Sequence, residues 1–344
     1  MHRDVIVIGA SAGGVEALST VVGGLPADLP AAVLVVLHTP ANGAGVLPHI
    51  LSRSGALPAR HPADHEPLGR SVIWVAAPDH HLVVLDGHVT LTRGPRENGL
   101  RPAADVLFRT AARARGARVI GVVLSGALDD GTAGLTAVVG RGGVAVVQDP
   151  ADALYEGMPS NALAGVPVDH VLPAAEIPAL LQRLCLEDIG DQDPVVARRV
   201  DEEADVALMD DDARAEVSGS GAPSGYSCPD CSGVLWEVPD ATLVRYRCRV
   251  GHAWSAEGLL GQQAEQLDGA LWMALRVLEE KAALAVTLRD RADERGNAVT
   301  AGRFAEQAAE ATDAAGVIRT LIQAHLGAPE GSAPHGAGRD RIGP

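Results

Sequence analysis

"VIVIGASAGGVEAL", residues 5–18, is an apolar run that ends in a turn of small residues and continues with a helical spacing of apolar side chains. A continuous β-branched run is typical of a strand that is buried on both faces of a parallel sheet. Ser11 stands at the bend between this strand and the helix. Small-residue turns of this kind cradle phosphate in some proteins, and a serine at the bend serves as a nucleophile in others.

Further apolar runs and helical patterns alternate up to residue 186. Asp86-Gly87 lies between two alternating runs at 82–92, as in a two-residue hairpin turn. The sequence therefore predicts an α/β domain over residues 1–186, with a doubly wound, mostly parallel sheet and an antiparallel hairpin. The predicted strands are 4–9, 31–37, 71–76, 118–124 and 143–148, and the predicted helices are 13–23, 43–54, 103–115, 132–140 and 174–184.

The composition limits the class of protein. The chain has 344 residues, of which 47% are apolar, and its formal net charge is −16. Such a negative charge argues against nucleic acid as a partner. The first residues lack the pattern of a signal peptide, and no apolar run reaches the ~18 residues that span a membrane. We therefore expect a soluble, cytoplasmic protein without membrane insertion.

The last third of the chain has a different organisation. Residues 187–225 are rich in Asp and Glu and end in a Ser/Gly-rich run, so we predict an acidic flexible linker. Apolar residues then recur at steps of four and three on both sides of the turn DERGN, which predicts a helical hairpin over 256–327 and a disordered tail over 328–344. The predicted seams are Leu260, Ala264, Leu267, Leu271, Ala274 and Leu278, and Phe304, Ala308, Ala311, Ala315, Ile318 and Ile322.

A cysteine-bearing module is predicted between the linker and the hairpin, over residues 226–255. Cys228 and Cys231 form a C-x-x-C pair, and Cys248 and His252 form a C-x-x-x-H pair. Three thiolates and one imidazole suit tetrahedral zinc, and the interval between the two pairs leaves room for two strands, as in a zinc ribbon. A closed set of four ligands predicts a structural metal. The alternative is a cysteine-bearing fold that binds no metal.

Two interpretations of Ser11 can be compared. A dinucleotide-binding turn needs a glycine at this position and an acidic residue at the end of the second strand, where this chain has His38. The segment GASAG matches G-x-S-x-G instead, although a lone serine at such a turn more often caps its helix. Asp129 and Asp130 follow the fourth predicted strand. Because sites in open parallel sheets form beyond the carboxyl ends of the strands, we expect a serine, a histidine and a carboxylate on one rim.

Six segments carry a family resemblance when taken in order. They are VIVIGASAGGVEAL, VVLHTP, VAAPDHHLVV, RPAADVLF, LSGALDDGTAGL and VQDPADALYEGMPSNAL. With them, residues 4 to about 184 resemble the catalytic domain of the chemotaxis protein-glutamate methylesterases (CheB-type). The resemblance implies Ser11 as nucleophile, His38 as general base and Asp130 as the carboxylate of a triad. Asp129 is then expected to be a solvated neighbour.

Two positions depart from the family pattern. Ala127 replaces a methionine and Ala12 replaces a frequent threonine, and the resemblance places both at the oxyanion hole through their backbone N–H groups. The family usually carries a phosphorylatable receiver domain in front of the esterase. Since Ser11 lies so near the start, we expect no such domain here and no control by phosphorylation within the chain.

The resemblance implies an enzyme that removes methyl esters from glutamate side chains of chemoreceptor-like proteins and releases methanol, with glutamine deamidation as a side activity. No cofactor is expected for catalysis. The expected partner is a methylated receptor or signalling protein built as a helical bundle, and the helical hairpin offers a route to oligomers. The alternative is a non-enzymatic signalling adaptor that binds a partner through the zinc module and the hairpin.

Overall fold

The structure is a computed structural model that describes residues 1–190, 198–209, 221–238 and 243–326. The chain divides into two units, Met1–Leu260 and Gly261–Pro344. The first unit contains both the α/β domain and the cysteine-bearing module.

A seven-stranded parallel sheet forms the centre of the first unit. Its strands are β1 (Val5–Ala10), β2 (Ala32–Leu37), β3 (Ala59–Arg60), β5 (Ile73–Val75), β8 (Val119–Val123), β9 (Val144–Gln148) and β10 (His170–Leu172). Their order is β10-β9-β8-β1-β2-β5-β3, so β1 lies between β8 and β2. All residues of β1 are buried, because helices cover both faces of the sheet, and this explains why its sequence is apolar throughout.

Helices pack on both faces of this sheet. They are α1 (Gly14–Gly23), α2 (Leu47–Ser54), α3 (Ala104–Arg115), α4 (Thr132–Gly140), α5 (Gly157–Gly165) and α6 (Ile177–Leu186). One core lies beneath α1, α2 and α6, and a second lies beneath α3, α4 and α5. The predicted doubly wound α/β class is confirmed. The sequence analysis missed α5, whose segment GMPSNALAG lacks a clear apolar period.

The predicted hairpin is also present. Strands β6 (His81–Leu85) and β7 (His88–Thr92) pair in antiparallel fashion, and β4 (Glu66–Pro67) extends them at the edge. The two turn residues, Asp86 and Gly87, have φ of 47° and 80°, which the tight turn requires. Leu82 and Val84 turn inward and join the core beneath α3.

The cysteine-bearing module is a second sheet. Its four antiparallel strands are β11 (Pro223–Ser227), β12 (Val234–Val238), β13 (Arg245–Cys248) and β14 (Ala253–Ser255). The β12–β13 pair occupies the interval between the two ligand pairs, as predicted for a zinc ribbon. Leu235, Trp254 and Leu259 form its small apolar core together with two of the cysteines.

Helix α7 (Arg198–Ala207) falls within the range 187–225, which the acidic composition predicts to be a flexible linker. The structure shows a packed helix here instead, in contact with α3. Glu203 is buried in this contact and pairs with Arg109 of α3 and with Arg245 of β13. Residues 191–197 and 210–220 of the predicted linker lie outside the described residues.

The helical hairpin consists of α8 (Ala256–Glu294) and α9 (Ala298–Leu326). Its core contains Leu275, Ala315 and Ile322. The predicted seam of α9 is therefore correct. That of α8 is correct in its second half, where Leu271 and Leu278 pack against this core, but Leu260, Ala264 and Leu267 of its first half are exposed. Among the helices of the described ranges, none is both long and apolar enough to cross a membrane. The predicted tail, 328–344, lies outside those ranges.

Candidate active site

Ser11 and His38 lie at the ends of adjacent strands. Ala10 of β1 pairs with Leu37 of β2, so the next residue of each strand leaves the sheet at the same level. The backbone N–H of His38 donates to the carbonyl of Ala10 at 3.1 Å. The chain crosses from β1 to β2 on one side and returns with β8 on the other, and crevices at such switch points are common ligand sites.

Asp130 follows β8, the other neighbour of β1, and reaches His38. Nε2 of His38 lies 2.6 Å from Oδ2 of Asp130. The exposed fractions of the two side chains are only 8% and 1%, so this charge-assisted hydrogen bond is shielded from water. Because Nε2 donates to the carboxylate, Nδ1 is the nitrogen that remains to accept a proton.

The first turn of α3 holds the opposite side of the Asp130 carboxylate. The N–H groups of Ala104 and Asp105 donate to it at 2.6 and 3.1 Å. Burial by itself raises the pKa of Asp130, but the hydrogen bonds from His38 and from these two N–H groups outweigh it, and the pKa lies below its usual range. The helix dipole favours the same ionised state.

The side chain of Asp105 fixes the end of the Asp130 loop, where it leads into α4. It accepts hydrogen bonds from the N–H groups of Gly131 and Gly134, at 2.9 and 2.6 Å, where α4 begins. Burial, and then the charge of Asp130, raise the pKa of Asp105 well above its usual range. Asp105 thus holds the start of α4, and Asp130 holds the start of α3. This role of Asp105, in the segment RPAADVLF, was not predicted from the sequence.

His81 is a buried structural residue beside this turn. Its Nδ1 accepts the N–H of Ala103 at 3.2 Å, which leaves Nε2 to donate to the carbonyl of Pro95 at 3.0 Å. Burial lowers the pKa of His81 to about 4, so the ring is neutral at physiological pH. It therefore anchors the approach to α3.

The turn that carries Ser11 is fixed to the loop after β8. Gly13 has φ of 68°, and a Cβ there would lie 2.8 Å from Oγ of Ser125. The N–H of Ser11 donates to the carbonyl of Ser125 at 2.9 Å, and Oγ of Ser125 donates to the carbonyl of Ala12 at 2.8 Å. The same loop continues to Asp130.

The backbone near Ser11 offers unused donors. Within the described part of the chain, the N–H groups of Ala12 and Ala127 donate no hydrogen bond. A Cβ added to Gly126 would lie 2.9 Å from the Cβ of Ser11, so the segment before Ala127 passes close to the serine. A groove of about 350 Å³ opens beside His38, and the loop 96–101 contributes its opposite wall.

Asp129 differs from the expectation of a solvated residue. Its carboxylate accepts a 2.8 Å hydrogen bond from Oγ of Ser255, at the end of β14 in the cysteine-bearing module. Burial raises the pKa of Asp129 to about 6, helped by the charges of Glu257 and Asp130, although the Ser255 hydrogen bond opposes this shift. Asp129 therefore belongs to a contact between the module and the loop that carries Asp130.

The predicted metal ligands converge in the module. The donor atoms of Cys228, Cys231, Cys248 and His252 all lie within 4.8 Å of one another. Three of the separations are 3.7 Å (Cys228 to His252), 3.6 Å (Cys231 to Cys248) and 3.6 Å (Cys248 to His252). Two sulfur atoms that bind one zinc ion tetrahedrally, each at the usual zinc–sulfur distance, are about 3.8 Å from each other. The four residues therefore fit a metal ion of this kind.

Comparison with known proteins agrees with the resemblance. A sequence model of the CheB methylesterase family matches residues 6–181. A Leptospira interrogans protein with the provisional name protein-glutamate methylesterase/protein-glutamine glutaminase is 36% identical over 185 residues, 54% of this chain and 96% of that protein. Protein-glutamate methylesterase/protein-glutamine glutaminase 2 of Methanosarcina mazei is 35% identical over 179 residues, 50% of this chain and 49% of that protein. The Thermotoga maritima CheB methylesterase catalytic domain superposes with a TM-score of 0.51 and 31% identity, over 54% of this chain and 100% of that domain.

Proposed function

Since the chain belongs to the CheB methylesterase family, we propose that it hydrolyses methyl esters of glutamate side chains in a protein substrate and releases methanol. The observation that carries this proposal is the buried His38–Asp130 hydrogen bond beside Ser11, at the switch point of the sheet. Glutamine deamidation is the corresponding reaction of an amide, with ammonia as the leaving group. The names of the relatives combine both activities.

Ser11 is the proposed nucleophile. Its Oγ attacks the ester carbonyl carbon while Nδ1 of His38 takes the hydroxyl proton, since Nε2 is bonded to Asp130. The tetrahedral intermediate expels methoxide, which receives that proton from His38 and leaves as methanol. A water molecule, deprotonated by His38 in the same way, then attacks the acyl-enzyme. This step forms the glutamate carboxylate and frees Ser11.

Asp130 orients the imidazole and stabilises its charged form. Its pKa, held below the usual range, keeps the carboxylate ionised in the working range of a histidine base. The oxyanion is proposed to bind the N–H groups of Ala12 and Ala127, near the start of α1 at Gly14. Backbone donors do not depend on the side chain, so alanine at both positions is compatible with this role.

Zinc is the metal proposed for Cys228, Cys231, Cys248 and His252, with a structural role. The four side chains would complete a tetrahedral shell and would leave no position open for substrate or water. Cys228 and Cys248 are buried in the core of the module. So small a sheet has little apolar packing, and the bound metal would supply the missing stability.

The proposed substrate is a methylated receptor or signalling protein that forms a helical bundle, recognised with the help of the hairpin. Leu267, Met273 and Leu284 of α8 are exposed and offer apolar contacts to partner helices. Assembly of this chain through the same hairpin is the second use proposed for it.

Methanol release from a glutamate-methylated helical receptor segment tests the proposal directly. The purified chain should release methanol, and Ser11→Ala should release none above background. If the wild-type chain bound the segment without releasing methanol or ammonia, the chain would be an adaptor rather than an esterase.

A further inference from the structure

The cysteine-bearing module contacts the loop 96–101, which forms one wall of the groove beside His38, and also the loop that carries Asp130. On one wall, the N–H of Asn98 donates to the carbonyl of Ala253 at 2.8 Å, and the N–H of Ala253 donates to the carbonyl of Arg96 at 3.1 Å. Strand β14 therefore continues as a short pairing with the loop 96–101. Oδ1 of Asn98 also accepts the N–H of Ser255 at 2.7 Å.

The start of α8 holds the loop that carries Asp130. Oγ of Ser255 accepts the N–H of Gly258 at 2.9 Å, as a helix N-cap does, and donates its own hydrogen to Asp129 at 2.8 Å. The side-chain amide of Asn161 donates both to the carbonyl of Leu128 and to the Glu257 carboxylate, at 3.0 and 2.7 Å.

Beneath these contacts lies a buried cluster of ion pairs. Glu97 pairs with Arg109 at 2.5 Å and with Arg247 of β13 at 3.4 Å. Glu203 of α7 joins Arg109 to Arg245 of the module. Since these groups are almost fully buried, with Arg109 and Arg247 2% and 1% exposed, the module is fixed to the α/β domain and not tethered beside it.

We propose that the cysteine-bearing module is a permanent brace of the active site, which means that it holds the loop 96–101 and the loop that carries Asp130 in place. Ser255 is the positioning residue for the loop of Asp129 and Asp130. This inference rests on the proposed esterase function for its catalytic consequence. Ser255 acts through the loop and not on substrate: it fixes Asp129, and the adjacent Asp130 then meets both His38 and the start of α3.

Variants of the full-length chain test the brace. Ser255→Ala removes both hydrogen bonds, and we expect kcat on a methyl ester of a short glutamate peptide to fall about tenfold with little change in KM, since displacements of about 1 Å at a catalytic group have effects of that order or larger. Ser255→Asp keeps a helix cap but faces the Asp129 carboxylate, so it should be at least as impaired. Ser255→Thr retains the hydroxyl and should restore most of the rate.

Ser224→Ala is the matched control, because among the described residues Oγ of Ser224 bonds only within the module: it donates to the carbonyl of Leu235 at 2.8 Å and accepts the N–H of Tyr226 at 3.2 Å. Its kcat should equal that of the wild type. If Ser255→Asp were fully active while Ser255→Ala was impaired, Ser255 would be a helix cap only and the inference would be overturned. Unchanged kcat in both variants would overturn it as well.

Amide hydrogen exchange provides a readout that does not depend on activity. Exchange in segments 96–101 and 125–131 should increase in Ser255→Ala and in wild-type protein stripped of metal by a chelator, but not in Ser224→Ala. Unchanged exchange in both segments would refute the brace. If the exchange increased while the wild-type chain hydrolysed no ester, the brace would stand and the proposed function would fail.

Discussion

Nε2 of His38 and Oδ2 of Asp130 lie 2.6 Å apart, although 92 residues separate them in the chain. The parallel order β8-β1-β2 makes this contact possible, because it brings the residues after β8 and β2 to either side of Ser11. The contact also determines which ring nitrogen can act as a base. It is the strongest geometric constraint on the proposed mechanism.

Asp130→Asn should lower kcat by about 10⁴, because an amide permits the wrong imidazole tautomer. It also turns an NH₂ group toward the donors of Ala104 or His38. Asp129→Asn should change kcat by about threefold or less, since the amide oxygen can still accept the Ser255 hydroxyl. Steady-state kinetics on one methyl ester compares the two. Greater sensitivity at Asp129 would show that Asp130 has been assigned the wrong role.

Ser11→Ala and His38→Ala should both abolish ester hydrolysis but should differ in stability. Ser11 is partly exposed, and its replacement should leave the thermal midpoint nearly unchanged. His38→Ala leaves the buried Asp130 carboxylate without its side-chain partner, which costs about 1–3 kcal/mol. Equal thermal midpoints would show that the His38–Asp130 bond contributes nothing to folding.

The sequence predicts that the candidate site residues lie together because each follows a strand with a clear apolar pattern. Ser11 and His38 come directly after β-branched runs and Asp130 lies in the loop after a third, and parallel pairing brings such positions to one edge. The four candidate metal ligands could also be predicted from the sequence, since the spacing of these residues alone indicates two ligand pairs. Local pattern is sufficient where a residue's role depends on its own element.

Contacts between distant elements could not be predicted in this way. The acidic composition around Glu203 suggested a solvated linker, but three arginines from α3 and β13 compensate the charge of this buried residue. Asp129 was expected to be solvated because nothing near it in sequence indicates Ser255, 126 residues away. Long-range contacts determine both positions, ion pairs at Glu203 and a hydrogen bond at Asp129, and composition does not report such contacts.

Asp129 should make stability depend on pH. Its pKa is about 6 in the folded chain, against 3.8 for an ordinary aspartate, so the folded state holds a proton that the unfolded state has lost. The contribution of Asp129 to the free energy of unfolding is therefore most favourable below about pH 4. It falls by about 3 kcal/mol in total as the pH rises through 6. Asp129→Asn removes this loss. Urea denaturation at pH 4 and pH 8 should show the Asp129→Asn variant gaining on the wild type at the higher pH, and a pH-independent difference would contradict the shift.

Purified protein should contain about one zinc per chain, with release on chelation accelerated at low pH, where thiolates and imidazole are protonated. Cys231→Ser should lower the zinc content, because it removes one of the four ligands. Cys185→Ser is the control, since Cys185 lies on the buried face of α6 in the core of the α/β domain and is not part of the ligand set. Elemental analysis and thiol titration measure both. Absence of zinc with all thiols free would leave a cysteine-bearing fold that binds no metal.

Glu203→Gln should destabilise the folded chain by about 3–5 kcal/mol, the usual cost of removing one partner of a buried ion pair. Burial alone would raise the pKa of Glu203, but Arg245, Arg109 and Arg247 hold it well below its usual range, which shows how strongly the charge is compensated. The substitution removes a negative charge that Arg109, Arg245 and Arg247 share. Urea denaturation of the full chain measures the loss.

The matched control is Glu280→Gln, which breaks an ion pair with Arg276 on the surface of α8. Both side chains of that pair are about two-thirds exposed, so water replaces the lost interaction and the change should stay below about 0.5 kcal/mol. If the two substitutions cost the same, Glu203 would be solvated in solution and α7 would be detached from α3. A large, selective cost at Glu203 would establish that this acidic segment is a packed element of the α/β unit.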